Sequence, residues 1–135
     1  MREILFRGKG NKKYNDGSWQ YGYLKKDSDD DFQICGSCWS RTVIPETVGQ
    51  YTGLTDKNGE KIFEGDIIKN ETERLFVVIY KFGGFDLAPI IWLEDIDKTI
   101  TYNTLGDVQT ALYTMSNAEI IGNIHDNPEL LGVSK

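Results

Sequence analysis

The stretch of sequence that decides the fold lies at residues 56–68, which read DKNGEKIFEGDII. Its first four residues form a strong hairpin-turn signal, because Asn and Gly tolerate the positive φ angles that tight turns demand. A second bend follows where a flexible glycine and a turn-capping carboxylate precede the β-branched pair Ile67-Ile68. We therefore predict five structural turn residues in this stretch: Asp56, Asn58, Gly59, Gly65 and Asp66.

Short segments with a two-residue alternation of apolar and polar side chains extend on both sides of this stretch, which indicates β-strands. Gly83-Gly84 is a further turn signal between two aromatic-rich segments. The predicted strands are Glu3–Phe6, Trp19–Leu24, Phe32–Ile44 with interruptions, Lys61–Lys69, Leu75–Phe82, Phe85–Leu87, Ile90–Leu93 and Glu119–Ile124. The pattern predicts a mainly β fold.

Helical signals are few. Leu105, Val108, Leu112 and Met115 have helical spacing, although Gly106 and several nearby threonines weaken this helix. At the end of the sequence, Asn127 to Leu131 combine a capping side chain, a proline suited to the first helical position and an early acidic residue. We expect a short helical turn there.

The length of 135 residues fits one domain, or one domain with a small appendage. The strands and turns divide it into an N-terminal strand-rich hairpin module over residues 1–44 and a small barrel with a C-terminal helical turn over residues 45–135. An acidic loop from Asp27 to Asp31 follows the first hairpin.

Hydropathy places the protein in the cytoplasm. The longest apolar run, Leu75 to Tyr80, has six residues, whereas a membrane-spanning helix needs about 20. The first residues contain too few apolar side chains for the roughly 7 to 15 of a secretory signal. We therefore expect no membrane contact and reduced cysteines.

Charge is unevenly distributed along a sequence whose net charge is −6. Residues 1–26 contain seven basic and two acidic side chains, whereas residues 27–135 contain eight basic and nineteen acidic ones. One interpretation is that the two parts form solvated surfaces of different sign. The other is self-complementarity, in which the basic start of one copy contacts the acidic body of another and forms a homo-oligomer.

Two motifs resemble chemical sites but lack essential parts. Cys35-Gly36-Ser37-Cys38-Trp39 resembles the signature around a papain-type nucleophile, yet the sole histidine, His125, is too near in sequence and no long helix follows. Zinc needs four ligands, which this cysteine pair could reach only if two copies shared a site. Packing of Cys35 and Cys38 is the simpler interpretation.

Asp27, Asp29 and Asp31 match the opening of an EF-hand loop, but Phe32 and Cys38 occupy positions that require Gly and Glu. His125 lies beside Asp126 near the end of a predicted strand, where a histidine more often caps a turn than catalyses. We predict no catalytic residue, no metal site and no cofactor.

Nucleic-acid binding is the main alternative to a protein-binding role. Trp19, Tyr21 and Tyr23 alternate so that they share one strand face beside Lys25 and Lys26, and small β-barrels bind single strands by stacking bases on such rings. The acidic net charge makes a nucleic-acid partner unlikely. A further alternative is that the acidic surface mimics nucleic acid and occupies a host DNA-binding protein.

Ordered blocks across nearly the whole chain closely resemble the YopX family. They are REILFRGK at 2–9, WQYG at 19–22, PETVGQYTGLTDKNG at 45–59, IFEGDII at 62–68, IGNI at 121–124 and NPELL at 127–131. The resemblance implies a phage or prophage protein in a bacterial cytoplasm, a C-terminal SH3-like barrel and assembly into homo-oligomers. It implies no catalytic residue, and Cys35 and Cys38 lie outside the blocks.

These observations together predict a non-enzymatic, self-associating protein-binding module. Its partners would be a second copy of itself and an unknown phage or host protein. The candidate contact residues are Arg2, Arg7, Lys9, Trp19, Tyr21 and Tyr23.

Overall fold

The structure is a computed structural model that describes residues 3–27, 31–81, 84–89 and 113–131. Antiparallel strands dominate these ranges, so the predicted mainly β fold is confirmed. The chain divides into two compact units, Met1–Gly53 and Leu54–Lys135. Several predictions lie outside the described residues, namely those for Arg2, for strand Ile90–Leu93 and for the helix positions Leu105, Val108 and Leu112.

The first unit is built on five strands whose order is β4-β3-β2-β1-β5. They are β1 (Phe6–Lys9), β2 (Trp19–Lys26), β3 (Phe32–Cys35), β4 (Ser40–Thr42) and β5 (Gly49–Thr55). The first strand therefore lies between the second and the last. A 3-10 helix, Pro45–Thr47, precedes the last strand.

The chain after β4 returns to the end of β1. Val43 forms an isolated antiparallel bridge with Gly10, and the Ile44 N–H donates to the Lys9 carbonyl at 2.8 Å. Because β2 and β3 separate β4 from β1 in the strand order, this contact requires the strands to curl. Thr47 secures the closure, since its hydroxyl accepts from the Lys9 N–H at 2.8 Å and donates to the Ile44 carbonyl at 2.6 Å.

Strand β5 was not predicted, and it accounts for where the first unit ends. Sequence analysis placed the end of the N-terminal module at Ile44, whereas the compact unit extends to Gly53. The reason is that β5 pairs with β1, where Phe6 lies opposite Gln50 and Arg7 opposite Gly49. Glycines at 49 and 53 hide the alternation of this strand, because neither carries a side chain.

The second unit contains a four-stranded antiparallel sheet with the order β10-β7-β8-β9. Its strands are β7 (Asp66–Lys69), β8 (Leu75–Lys81), β9 (Gly84–Pro89) and β10 (Glu119–Asn123). Strand β6 (Lys61–Phe63) precedes them in this unit. A single helical turn at 113–116 precedes β10. As in the first unit, the first strand of the sheet lies between the second and the last. The barrel over residues 45–135 stays a prediction.

Both faces of the four-stranded sheet are apolar, so its strands lack a strict alternation of apolar and polar side chains. One face contributes to a core whose buried members are Ile62, Ile68, Phe76, Val78, Leu87, Met115 and Ala118. On the other face Ile67 and Val77 are buried against partly buried apolar side chains, among them Ile124 and Leu130. Leu130 belongs to the 3-10 helix Pro128–Leu131, which confirms the predicted C-terminal helical turn.

Two hairpins share one turn design. In the first, Asp56 Oδ1 accepts from the N–H groups of Asn58 and Glu60, and Gly59 adopts φ +83°. In the second, which joins β7 to β8, Asn70 Oδ1 accepts from the backbone N–H groups of residues 72 and 74, and Glu73 adopts φ +65°. Glycine adopts this conformation without strain, whereas an L-residue such as glutamate is strained by contact of its Cβ with the backbone.

We predict that Glu73→Gly raises the free energy of unfolding by about 1 kcal/mol, because it removes the strain of a left-handed L-residue. Gly59→Ala should lower it by a similar amount. No atom lies within 4 Å of a Cβ built at Gly59, so this loss would be conformational. Urea unfolding of the two variants measures both changes, and shifts of the same sign in both would contradict the shared design.

The core of the first unit requires a glycine in β1. Val43 is buried, and a Cβ built at Gly8 would lie 2.9 Å from its Cγ2. We predict that Gly8→Ala destabilises the fold by about 1–3 kcal/mol through overpacking. Gly84→Ala is the matched control, because it is also a strand position and a Cβ there meets nothing within 4 Å.

Equilibrium urea unfolding of both variants tests this packing. Adding Val43→Ala to Gly8→Ala should recover part of the loss, so the two changes should be less than additive. Equal stability of the Gly8→Ala and Gly84→Ala variants would show that Val43 adjusts without cost.

Candidate functional site

Strand pairing gathers basic and aromatic side chains on one face of the first unit. Tyr21 lies directly opposite Arg7 and Trp19 directly opposite Lys9. Directly opposed residues of antiparallel strands point to the same face, and alternate residues along a strand do likewise. We call this surface the basic–aromatic face, and its members are Arg7, Lys9, Trp19, Tyr21, Tyr23 and Lys25.

The basic–aromatic face has a supported end and an exposed end. Arg7 is 6% exposed, and its guanidinium carbon lies 4.7 Å from the ring centroid of the half-buried Trp19, a cation–π contact. Towards the other end of β2, Tyr21 is 49% exposed and Tyr23 68% exposed, and Lys25 is exposed as well. A partner can therefore reach the two tyrosines and Lys25, whereas Arg7 supports Trp19 from within.

No carboxylate occupies this face within the five strands of the first unit. Tyr23 lies opposite Cys35, and Lys25 opposite Gln33. The same register places Ser40, Thr42, Gly49 and Tyr51 on this side of the sheet. The acidic residues of the described part of this unit lie outside its strands, at Glu3, Asp16, Asp27, Asp31 and Glu46. Of these, Asp27 reaches the end of the face, since its Oδ2 accepts from Nε2 of Gln33 at 3.5 Å.

The two neighbouring lysines of β2 point to opposite faces. Lys25 follows Tyr23 on the basic–aromatic face, whereas Lys26 lies opposite Phe32, with its Nζ 5.8 Å from that ring centroid. Sequence analysis placed both lysines beside the aromatic stripe. The structure places only Lys25 with it, because side chains alternate along a strand.

The cysteine motif forms the turn of the β3–β4 hairpin. Cys35 and Cys38 are free thiols, and the Gly36 N–H donates to the Trp39 carbonyl at 2.9 Å. In the second unit, the backbone N–H of His125 donates to Asn123 Oδ1 at 3.0 Å, within the turn that follows β10. No group of three or more potential metal ligands occurs among residues 3–27, 31–81, 84–89 and 113–131.

In the part of the chain that the structure describes, no helix combines the length and the apolar character needed to cross a membrane.

The predicted turn residues make specific contacts. Asp66 is buried and its Oδ2 accepts from the Phe63 N–H at 2.7 Å. Gly65 adopts φ +92°, and its N–H donates to the Val78 carbonyl at 2.8 Å. Its carbonyl in turn accepts from the Ile124 N–H at 3.0 Å. This bend therefore lies between neighbours from β8 and from the end of β10.

Asp56 connects its hairpin to the last strand of the second unit. Oδ1 accepts from Asn58 and Glu60, while Oδ2 accepts from the Ile120 N–H, 64 residues away in sequence, at 3.0 Å. Burial alone would raise the pKa of this carboxyl group. The hydrogen bonds from Ile120, Glu60 and Asn58, together with the charge of Lys57, instead hold its pKa below the usual value of 3.8.

Comparison with known proteins identifies the family of this chain. The family model described as YopX protein matches residues 6–132. The chain belongs to the YopX family. The chain is also similar to a solved structure described as protein EF1440 from Enterococcus faecalis, with 28% sequence identity and a TM-score of 0.52. That similarity covers 97% of this chain and 99% of the other, and no curated protein matches.

We predict that Asp56→Asn destabilises the protein by about 1–3 kcal/mol, because one oxygen must be replaced by an amide that cannot accept a hydrogen bond. Asn70→Asp is the matched control. All three hydrogen bonds that the Asn70 side chain accepts use Oδ1, so an aspartate preserves them, and the stability of this variant should change by less than about 0.5 kcal/mol.

The pH dependence gives an independent measurement. The folded pKa of Asp56 is lowered, so its contribution is fully present above the unfolded value of 3.8 and is lost as the pH falls through the folded pKa. Urea unfolding between neutral pH and pH values below 3.8 should therefore show a smaller acid loss in Asp56→Asn than in the wild type. An equal loss of stability in the wild type and in Asp56→Asn would contradict this role of the Asp56 carboxylate.

Proposed function

We propose that this YopX-family chain is a non-enzymatic protein-binding module that self-associates through its basic–aromatic face. The single observation that supports this proposal most is the exposure of Tyr21, Tyr23 and Lys25 on one face of strand β2. Phenol rings and an ammonium group bind by stacking and by charge. Tyrosine is also enriched in protein interfaces, where its ring contributes a large contact area.

The charges of the two units support a second copy as the partner. Residues 1–53 contain eight basic and seven acidic side chains, whereas residues 54–135 contain seven basic and fourteen acidic ones. The acidic unit of one copy can therefore complement the basic–aromatic face of the next. Such a head-to-tail contact is heterologous, and it forms a closed ring or an open filament according to its rotation.

The biological setting belongs to the same proposal. The YopX resemblance implies a phage or prophage protein that acts in the cytoplasm of a bacterial host. An unknown phage or host protein with an acidic surface would be a further partner for the same face, because it would present the same charge as the second unit.

Sedimentation velocity across a salt series tests self-association. We expect assemblies at low ionic strength that dissociate as salt is added, because exposed charges are screened over about 8 Å at physiological ionic strength. Lys25→Glu should weaken assembly more than Lys26→Glu. These two variants have the same charge change at adjacent exposed positions, and they differ in the face that carries it.

A monomer under all conditions would contradict the proposal, as would an assembly that Lys25→Glu leaves intact. Far-UV circular dichroism and urea unfolding of each variant establish that folding is unchanged. Equal weakening by Lys25→Glu and Lys26→Glu would show that total charge, and not the basic–aromatic face, drives assembly.

A further inference from the structure

The Asp56 hairpin carries an asparagine–glycine pair at its exposed end. Asn58 is followed by Gly59, and none of the other asparagines in the sequence precedes a glycine. Among the asparagines within the described residues, Asn58 is also the one whose side chain is exposed. The sequence and the exposure therefore select the same residue.

An asparagine side chain can react with the backbone nitrogen of the next residue, and glycine permits this most readily because no Cβ blocks the approach. The Gly59 nitrogen would lose its proton to solvent and form a bond to Asn58 Cγ, while the side-chain amide nitrogen leaves as ammonia. The product is a five-membered succinimide. Water then opens it, giving aspartate when the bond to Cγ breaks and isoaspartate when the bond to the backbone carbonyl carbon breaks. No oxidant or reductant is required.

We propose that Asn58 is a site of spontaneous deamidation whose rate is controlled by the Asp56 turn. In the folded hairpin the Gly59 N–H donates to the Asp56 carbonyl at 3.0 Å, and the Asn58 N–H donates to Asp56 Oδ1 at 2.8 Å. Ring closure must turn the Gly59 nitrogen towards Asn58 Cγ, which breaks its hydrogen bond to the Asp56 carbonyl. The turn must therefore open before the reaction, and the bonds to Asp56 slow it.

The surroundings of the pair allow the reaction once the turn opens. Asn58, Gly59 and Glu60 are exposed, and a Cβ built at Gly59 meets no atom of the described residues within 4 Å. The bond from Ile120 to Asp56 Oδ2 does not involve the turn itself, so the turn can open while that link remains. Local opening of a surface turn needs less free energy than global unfolding. Deamidation therefore proceeds from the folded chain, but more slowly than from the unfolded chain.

The two products disturb the hairpin to different extents. Isoaspartate lengthens the main chain by one carbon between Asp56 and Glu60, which are joined by the bond from the Asp56 N–H to the Glu60 carbonyl at 2.8 Å. Aspartate keeps the main chain but adds a negative charge near the Asp56 carboxylate. Both changes weaken the hairpin, and isoaspartate weakens it more. Because Asp56 also accepts from Ile120, deamidation limits the lifetime of the folded second unit.

This chemistry goes beyond the proposed function, because it requires neither self-association nor a partner. It is measured on the full chain, incubated in mildly alkaline buffer with and without denaturing urea. Mass spectrometry of chymotryptic peptides that contain Asn58 follows the reaction, and electron-transfer fragmentation distinguishes isoaspartate from aspartate. In the folded chain Asn58 should react faster than the other asparagines. In urea it should react at least about tenfold faster still, because no hydrogen bond of the turn must then be broken.

Two variants separate the reacting atoms from the turn. Gly59→Ala should react several-fold more slowly than the wild type in urea, because the new Cβ hinders ring closure. Asp56→Ala should react faster than the wild type in buffer and at the same rate in urea, because it removes bonds of the turn and leaves the reacting atoms unchanged. Where Asp56→Ala does not fold, the wild type with and without urea tests the same control by the turn.

The proposal is wrong if Asn58 of the folded chain reacts no faster than the other asparagines, if folded and unfolded chains react at equal rates, or if Gly59→Ala leaves the rate in urea unchanged. The effect on the second unit is measured by urea unfolding of the products after ion-exchange separation. The isoaspartate form should unfold at lower urea than the Asn58→Asp variant, which supplies the aspartate product. Equal midpoints of the isoaspartate form and the unmodified chain would refute this effect.

Discussion

The second unit depends on one buried carboxylate that joins the two ends of its sequence. Asp56 accepts hydrogen bonds from its own hairpin and from Ile120 at the start of β10. The backbone adds a second link nearby, since the Lys57 N–H donates to the Ala118 carbonyl at 3.0 Å. A buried charge is stable only when such bonds replace its water, so the strand that completes the sheet and the hairpin that begins the unit must form together.

The sheets of both units pair their last strand with their first, without a repeated sequence. In each, a short helical segment precedes the last strand, and that strand pairs with the first. Tight turns and the alternation of apolar and polar side chains can explain why this arrangement occurs twice. Many different side chains satisfy both requirements, so no repeated sequence is needed. The shared turn design at Asp56 and Asn70 shows that a turn of this kind places few requirements on the sequence. One turn has glycine at its left-handed position, and the other tolerates Glu73 there.

Local signals predicted the features that depend on neighbouring residues. The Asp56–Gly59 turn, the alternation of Trp19, Tyr21 and Tyr23 and the C-terminal helical turn each need only a few consecutive residues. Strand β1 was predicted at Glu3–Phe6 but occupies Phe6–Lys9, because polar and glycine positions suggest an exposed loop. In the structure Arg7 is buried against Trp19, and Gly8 makes room for Val43. Both contacts join β1 to residues that are distant from it in sequence.

The basic–aromatic face also combines features that local sequence predicts with features that depend on distant residues. The alternation along β2 was visible in sequence, but its relation to Arg7 and Lys9 depends on the register of β1 with β2, which no local pattern specifies. The separation of Lys25 from Lys26 follows from alternation alone and could have been predicted. The set of charges on this face depends on the register of several strands together, which composition does not reveal.

Strand register also changes what the acidic composition means for a bound ligand. The net charge describes electrostatic attraction at distances where all charges of the protein act together. For a bound group, screening over about 8 Å limits the attraction to charges on the nearest one or two strands, because neighbouring strands lie about 4.8 Å apart. The carboxylate nearest to β2 in sequence is Asp27, which lies just after the strand. Its Oδ1 accepts from the Asp31 N–H at 3.0 Å, and its Oδ2 accepts at 3.5 Å from Nε2 of Gln33, which lies opposite Lys25. A ligand at Tyr23 therefore senses Lys25 and Asp27 together more strongly than the net charge of the protein. The partner of this face is decided by strand register, because register selects which of the charges a ligand senses.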